Sequence, residues 1–342
     1  NGLDFGFSGF CGETSHQTRS KPSRFSAVSA TCACPSCAGS KLPPDVWVLD
    51  VASGKLRQVT RTPTEGVDLA SLVAPELVTF PAHDGLELSG WLYRPAGPAG
   101  AGGKPGPVVV SFHGGPEGQS RPMFGALSSY LVNEIGVAII RPNVRGSSGY
   151  GADFTFSTRG RWGLEDYDDL MKAVDIAAQR PDVDSTRMGV TGGSYGGFMT
   201  AWITTKTNRF KAAQADRMIS NWFSWYGASD AQGLTEFEFY GKPWENWDLY
   251  EELSPIRYVE RVRTPTLIVQ SEEDHRTPMA DAEQWFMALR KQDVPVEFIR
   301  YPRSTHDLSR TGEPWLLVDR LGRLRQWFVH WLKAGGEASV DS

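Results

Sequence analysis

The sequence predicts an α/β fold, a mostly parallel central sheet with helices on both faces. Three observations carry the prediction. Short apolar runs alternate with helical periodicity from about residue 108 to 333, and that alternation builds parallel sheets covered on both sides. One strand-to-helix junction carries a tight glycine box, Thr191-Gly-Gly-Ser-Tyr-Gly-Gly197. The chain has 342 residues, 40% hydrophobic and 22% charged, which is enough for one large or two medium cores.

Taken in order, residues 1–44 are rich in Gly, Ser, Thr and Cys and show no sustained period. They read as an irregular, poorly ordered head. All four cysteines fall there, Cys11, Cys32, Cys34 and Cys37. The cluster reads as incidental; thiolate zinc binding is the alternative, and a second knuckle of regular spacing is missing. Residues 45–74 read as a β-hairpin and linker, with strands at 46–50 and 55–60 around a Ser53-Gly54 turn. The main α/β domain is expected over 75–342. Leu86–Tyr93 alternates as a strand, and 95–107 is a Gly/Pro-rich loop. Further strands are expected at 108–112, 137–141, 188–191, 211–215, 266–270 and 296–301. Helices are expected at 198–205, 163–180, 279–291 and 315–333. The Trp/Tyr-rich stretch 221–258 interrupts this rhythm and reads as core packing or a wall of the binding site, with core favoured.

The glycine box supplies chemistry. Gly192, Ser194 and Gly196 form a G-x-S-x-G motif, and no other serine has glycine two residues before and two after. With a strand before and a helix after, this is the nucleophile elbow of an α/β-hydrolase. Its glycines allow strained backbone angles and close packing. The helix N-terminus directs N–H groups and a positive dipole end at any oxyanion formed near Ser194. The serine needs a base and the base an orienting acid, in the chain order Ser, Asp/Glu, His. Of six histidines, His16 lies in the head, His83 and His113 precede Ser194, and His330 sits on the last helix. His275 and His306 remain, and His306 follows the last expected strand. Asp274 lies on the loop after the 266–270 strand, at the carboxyl end where ligand chemistry collects. Glu272 and Glu273 share that loop and stay open on chemistry alone. The loop His113-Gly-Gly-Pro116 follows an earlier strand, so the Gly115 and Tyr195 N–H groups are the expected oxyanion donors.

The formal net charge is −5, with no Lys/Arg run beyond a solvated face. A nucleic acid or an anionic membrane is therefore not an expected partner. No stretch reaches the roughly 20 apolar residues of a membrane span. The first residue is Asn1, and nothing near it reads as a signal peptide. Cysteines confined to the head fit a reducing compartment, so the cytoplasm is the expected location. The chemistry calls for no cofactor or metal. The expected partner is a small ester or short peptide substrate.

Several motifs together resemble the catalytic domain of the prolyl oligopeptidase family, nearest its acylaminoacyl-peptidase-like branch. They are His113-Gly-Gly-Pro116, Asn143-Val-Arg-Gly-Ser-Ser-Gly-Tyr-Gly151, Trp162-Gly-Leu-Glu-Asp-Tyr-Asp-Asp-Leu170, Gly192-Gly-Ser-Tyr-Gly-Gly-Phe198, Ile219-Ser-Asn-Trp222, Glu273-Asp-His-Arg276 and His306. The resemblance implies a Ser194–Asp274–His306 triad and implies that Arg276 grips a substrate carbonyl or carboxylate. A structural ion pair is the competing reading of Arg276. Family members carry an N-terminal β-propeller, of which only the 46–60 hairpin resembles a trace, and 342 residues leave no room for seven blades. The family usually has Gly after the catalytic His; this chain has Asp307, a carboxylate placed to perturb His306 or compete with Asp274.

The expected function is a serine hydrolase cleaving peptide, acyl-amino-acid and small carboxyl-ester bonds through an acyl-enzyme on Ser194. A carboxylesterase with little or no peptidase activity is the alternative. A non-catalytic binding module on a hydrolase fold is the remote one, because such modules usually lose a triad member and none is missing.

Overall fold

The structure, a computed structural model, describes residues 31–95 and 104–333, with side chains from residue 39 onward. The chain divides into two compact units; the smaller includes Asp45–Arg61 and the larger includes 62–333.

A three-stranded sheet is formed by β1 (Thr31–Gly39), β2 (Leu42–Asp50) and β3 (Lys55–Gln58), in that spatial order. β2 and β3 form the expected antiparallel hairpin, pairing Trp47 with Gln58. Its turn closes as Ser-Gly chemistry requires. Gly54 takes φ +68°, and the Asp50 carboxylate accepts from the Ser53 N–H and hydroxyl, both at 2.8 Å. β1 lies inside the stretch read from composition as irregular. Small side chains leave no apolar period, yet a ladder is made by the backbone, so periodicity did not reveal this strand. Cys11, and the side chains of Cys32, Cys34 and Cys37, lie outside the described residues.

The larger unit is an eight-stranded sheet ordered β11-β10-β9-β8-β6-β7-β5-β4. Its strands are β4 (Glu76–Pro81), β5 (Glu87–Tyr93), β6 (Gly106–Phe112), β7 (Ala138–Asn143), β8 (Val183–Gly193), β9 (Phe210–Asp216), β10 (Thr266–Ser271) and β11 (Val296–Tyr301). β5 runs antiparallel to both its neighbours, β4 and β7, and the six strands from β7 to β11 are parallel. Every strand expected in this unit is present. The edge strand β4 was not expected; its six residues bury only Val78 and Phe80, too short a signal to separate from a loop.

The helices are α1 (Ala126–Ser129), which continues into a π-helical turn (Tyr130–Ile135), α2 (Ala152–Phe156), α3 (Glu165–Ala178), α4 (Tyr195–Lys206), α5 (Trp222–Ala228), α6 (Gln232–Glu238), α7 (Trp247–Glu252), α8 (Met279–Lys291), α9 (Leu308–Thr311) and α10 (Pro314–Leu332). Central strands are buried on both faces. Val108 and Val110 pack with Leu170, Val174 and Phe198 of α3 and α4. Val109 between them packs with Leu131, Leu324 and Phe328 of the π-turn and α10. A parallel sheet between two helix layers places the carboxyl ends of β6, β8, β9 and β10 side by side, and the loops there build the site.

Candidate active site

Ser194 joins β8 to α4 with φ 62° and ψ −122°, a positive φ in a non-glycine residue. The flanking glycines explain how the turn is tolerated. A Cβ on Gly192 would lie 2.4 Å from the Gly196 carbonyl oxygen, and one on Gly196 would lie 2.5 Å from the Phe112 carbonyl oxygen. Any side chain there would push β6, β8 and α4 apart. The Ser194 N–H is held at 3.1 Å by the carbonyls of both Asp216 and Arg217, at the end of β9. The hydroxyl therefore projects from a clamped backbone.

The structure brings the side chains of Asp274 and His306 together. His306 Nδ1 lies 2.9 Å from Asp274 Oδ2 and 3.1 Å from Oδ1. The Asp274 side chain is fully buried, and it also accepts from the Arg276 and Thr277 N–H groups and the Thr277 hydroxyl, each at 2.9 Å. Of the other acids on that loop, Glu272 and Glu273 are exposed, and Glu272 pairs with Arg300. His275 is exposed and His306 takes the bond. Asp307 does not compete, because its carboxylate turns away to Arg310.

Ser194 and His306 line one cavity of about 480 Å³, together with Gly114, Gly115, Tyr195 and Arg276. Among the described residues no hydrogen bond joins the Ser194 hydroxyl to His306; that contact commonly tightens only when substrate binds. Tyr195 is the first residue of α4, so its N–H has no intrahelical acceptor. Gly115 takes φ +139°, and a Cβ there would lie 2.4 Å from the Glu117 nitrogen. Glycine is thus required where this loop passes Ser194. His113 anchors the loop through Ser147 at 3.0 Å, and burial holds its imidazole below the ordinary value. Both readings of Arg276 have support. Its Nε donates to Asp230 at 2.6 Å, and the half-exposed side chain still lines the cavity.

The aromatic stretch 221–258 serves both roles considered for it. Trp222, Trp225, Phe239 and Tyr250 are buried core, and Trp222 and Trp225 also line the cavity beside Trp162, Ile219 and Leu234. Asn221 caps α5 by accepting from the Phe223 N–H at 3.0 Å. Buried Asp281 holds the segment below by accepting from the Ser220 and Asn221 N–H groups, both at 3.0 Å. Burial pushes that carboxyl up to about 7. The Tyr195 hydroxyl donates to Asp166, a wholly buried carboxyl that desolvation raises to about 6 against the pull of that bond.

Sequence reasoning missed Glu117, Arg217 and Arg310, which also line the cavity. A signal was present for Arg217. It follows β9 directly, at the strand end where Asp274 was sought after β10.

The chain matches known proteins along much of its length. The model of the prolyl oligopeptidase family matches residues 122–335. "Uncharacterized peptidase YuxL" of Bacillus subtilis (strain 168) is 40% identical over 277 residues, 80% of this chain and 41% of that protein. The acylamino-acid-releasing enzyme of Arabidopsis thaliana is 32% identical over 68% of this chain and 31% of its own length. Among solved structures, acylaminoacyl peptidase of Pyrococcus horikoshii superposes with a TM-score of 0.80 at 30% identity, over 89% of this chain and 48% of that one. A puromycin hydrolase superposes with a TM-score of 0.80 at 25% identity, over 89% and 46%. The chain thus spans less than half the length of each of these relatives.

Proposed function

The chain belongs to the prolyl oligopeptidase family, and on that premise we propose that it is a serine hydrolase cleaving short peptide or acyl-amino-acid bonds, and small carboxyl esters, through an acyl-enzyme on Ser194. The observation that carries this reading is the strained serine sharing a cavity with a histidine bonded to a buried, four-donor carboxylate.

In the proposed cycle His306 Nε2 takes the Ser194 proton as Oγ attacks the carbonyl carbon. Asp274 holds Nδ1–H and so fixes the tautomer. The Gly115 and Tyr195 N–H groups stabilise the tetrahedral oxyanion. His306 returns the proton to the departing amine or alcohol, and water then releases the acyl group by the reverse path. Arg276 orients the acyl part through its carbonyl, its charge damped by Asp230. Esters enter the proposal because an alkoxide or phenoxide leaves more easily than an amine.

The test compares kcat/KM for acyl-aminoacyl anilides, dipeptide anilides and short-chain p-nitrophenyl esters, on wild type and Ser194→Ala. Turnover and fluorophosphonate labelling in wild type alone are expected. Equal rates in the variant remove Ser194 from the mechanism. Ester turnover without anilide turnover selects a carboxylesterase, and labelling without ester turnover removes the ester activity.

A further inference from the structure

The cavity is chemically two-sided. Its apolar side chains, Trp162, Ile219, Trp222, Trp225 and Leu234, come from the segments before α3 and around α5 and α6. Its cationic side is tied to the loop that carries His306. Arg217 Nη1 donates to Ser309 Oγ at 2.8 Å, three residues after His306. The same guanidinium lies flat over the residue before the nucleophile: a Cβ on Gly193 would sit 2.8 Å from Nη2. Arg310 follows on α9 and lines the same cavity.

This guanidinium pair is only partly neutralised, because the acids beside it, Asp216 and Asp307, face three arginines, Arg217, Arg310 and Arg320. Asp216, the acid nearest Arg217 at 3.7 Å, is bonded through the same Oδ2 to Arg320. Arg217 Nε is buried with no hydrogen-bond partner among the described residues. Partial burial, then repulsion from Arg217, pulls the Arg310 value down; among the described residues its direct acid partner is the half-exposed Asp307. Arg217 is also held at φ +40°, unfavourable for a side chain of its size. It is fixed there by a 2.8 Å bond from its N–H to the Val269 carbonyl. An under-neutralised guanidinium pair with an unused buried donor fits a carboxylate, which takes parallel N–H donors with charge assistance.

The position of the pair says which end of the substrate it meets. His306 must hand its proton to the leaving group, so the leaving group departs along the loop that carries His306, Ser309 and Arg310. We propose that Arg217 and Arg310 form a subsite for the free carboxylate of the leaving group, so that the enzyme favours short peptides cleaved at their last bond. This rests on Ser194 hydrolysis as proposed above and adds the substrate end that the site recognises.

The test uses N-acetyl-Leu-Ala as its free acid and as its carboxamide, and reads the ratio of their kcat/KM in each protein. A ratio cancels general damage to the catalytic machinery. A charge-assisted bond of this kind predicts about a tenfold preference for the acid in wild type. Arg310→Gln, a change at an exposed side chain, should bring the ratio near one, as should Arg217→Gln. Asp307→Asn should raise it by freeing Arg310, and added salt should lower it. Equal turnover of acid and amide by wild type, or a preference that survives Arg310→Gln, overturns the subsite and leaves the hydrolase intact. No turnover of either substrate, with no fluorophosphonate labelling of Ser194, overturns the hydrolase reading and the subsite with it.

Discussion

Asp274 receives four donors in a space without solvent: two backbone N–H groups, the Thr277 hydroxyl and the His306 ring. Asp274→Asn would replace one acceptor oxygen with an amide NH2 facing a donor, and His306 would flip tautomer or lose the bond. The expected result is a kcat fall of about 10⁴-fold with the fold retained, measured on the best ester or anilide. Gly196→Ala is the opposite case. Its Cβ would meet the Phe112 carbonyl at 2.5 Å, and the backbone of a central strand cannot yield. The variant should lose on the order of 4 kcal/mol or more of stability, read by urea unfolding. At this scale the sequence was most legible. A serine between spaced glycines, with an acid and a histidine following in order, left few assignments. It could not choose among Glu272, Glu273 and Asp274, because burial separates them and burial belongs to the folded loop.

Elements were legible where period and length agreed, as in α3, α8, α10 and the apolar strands β6, β8 and β10. They were not where the backbone alone makes the structure, as in β1, or where buried polar groups set positions. α4 is placed partly by the Tyr195–Asp166 bond to α3, which steadies the residue proposed to supply an oxyanion N–H. Asp166 holds its proton to about pH 6 in the folded protein, against about 4 in an unfolded chain. Between these values the folded state binds more protons than the unfolded, so the group's contribution to stability falls as pH rises through the window and is constant above it. Asp166→Asn has no such slope. The stability advantage of wild type over this variant should therefore shrink between pH 4 and 6, by up to a few kcal/mol, in urea unfolding at stepped pH. An advantage that grows with pH would contradict a raised Asp166.

At the scale of the molecule, one arginine draws together three parts of the larger unit. Arg145, just after β7, bonds Asp84 between β4 and β5 at 2.8 and 3.0 Å, and Asp169 on α3 at 3.0 Å from both Nε and Nη2. Asp169 is fully buried and Asp84 is half-exposed. Arg145→Ala strands a buried carboxylate and should cost about 3–5 kcal/mol, whereas Asp84→Ala removes a solvent-screened partner and should lower the melting temperature far less. Thermal melts of the two variants check the contrast. The sequence by itself determined the sheet class and the tight strand-to-helix turn at Ser194, because period-driven burial and turn chemistry are local and written in neighbouring residues. The tertiary structure alone decided which acid His306 faces, that Asp307 turns away to Arg310, and that Arg217 and Arg310 share a cavity with Ser194. Those outcomes depend on strand ends meeting across the sheet, where residues about a hundred positions apart share one cavity and its low dielectric.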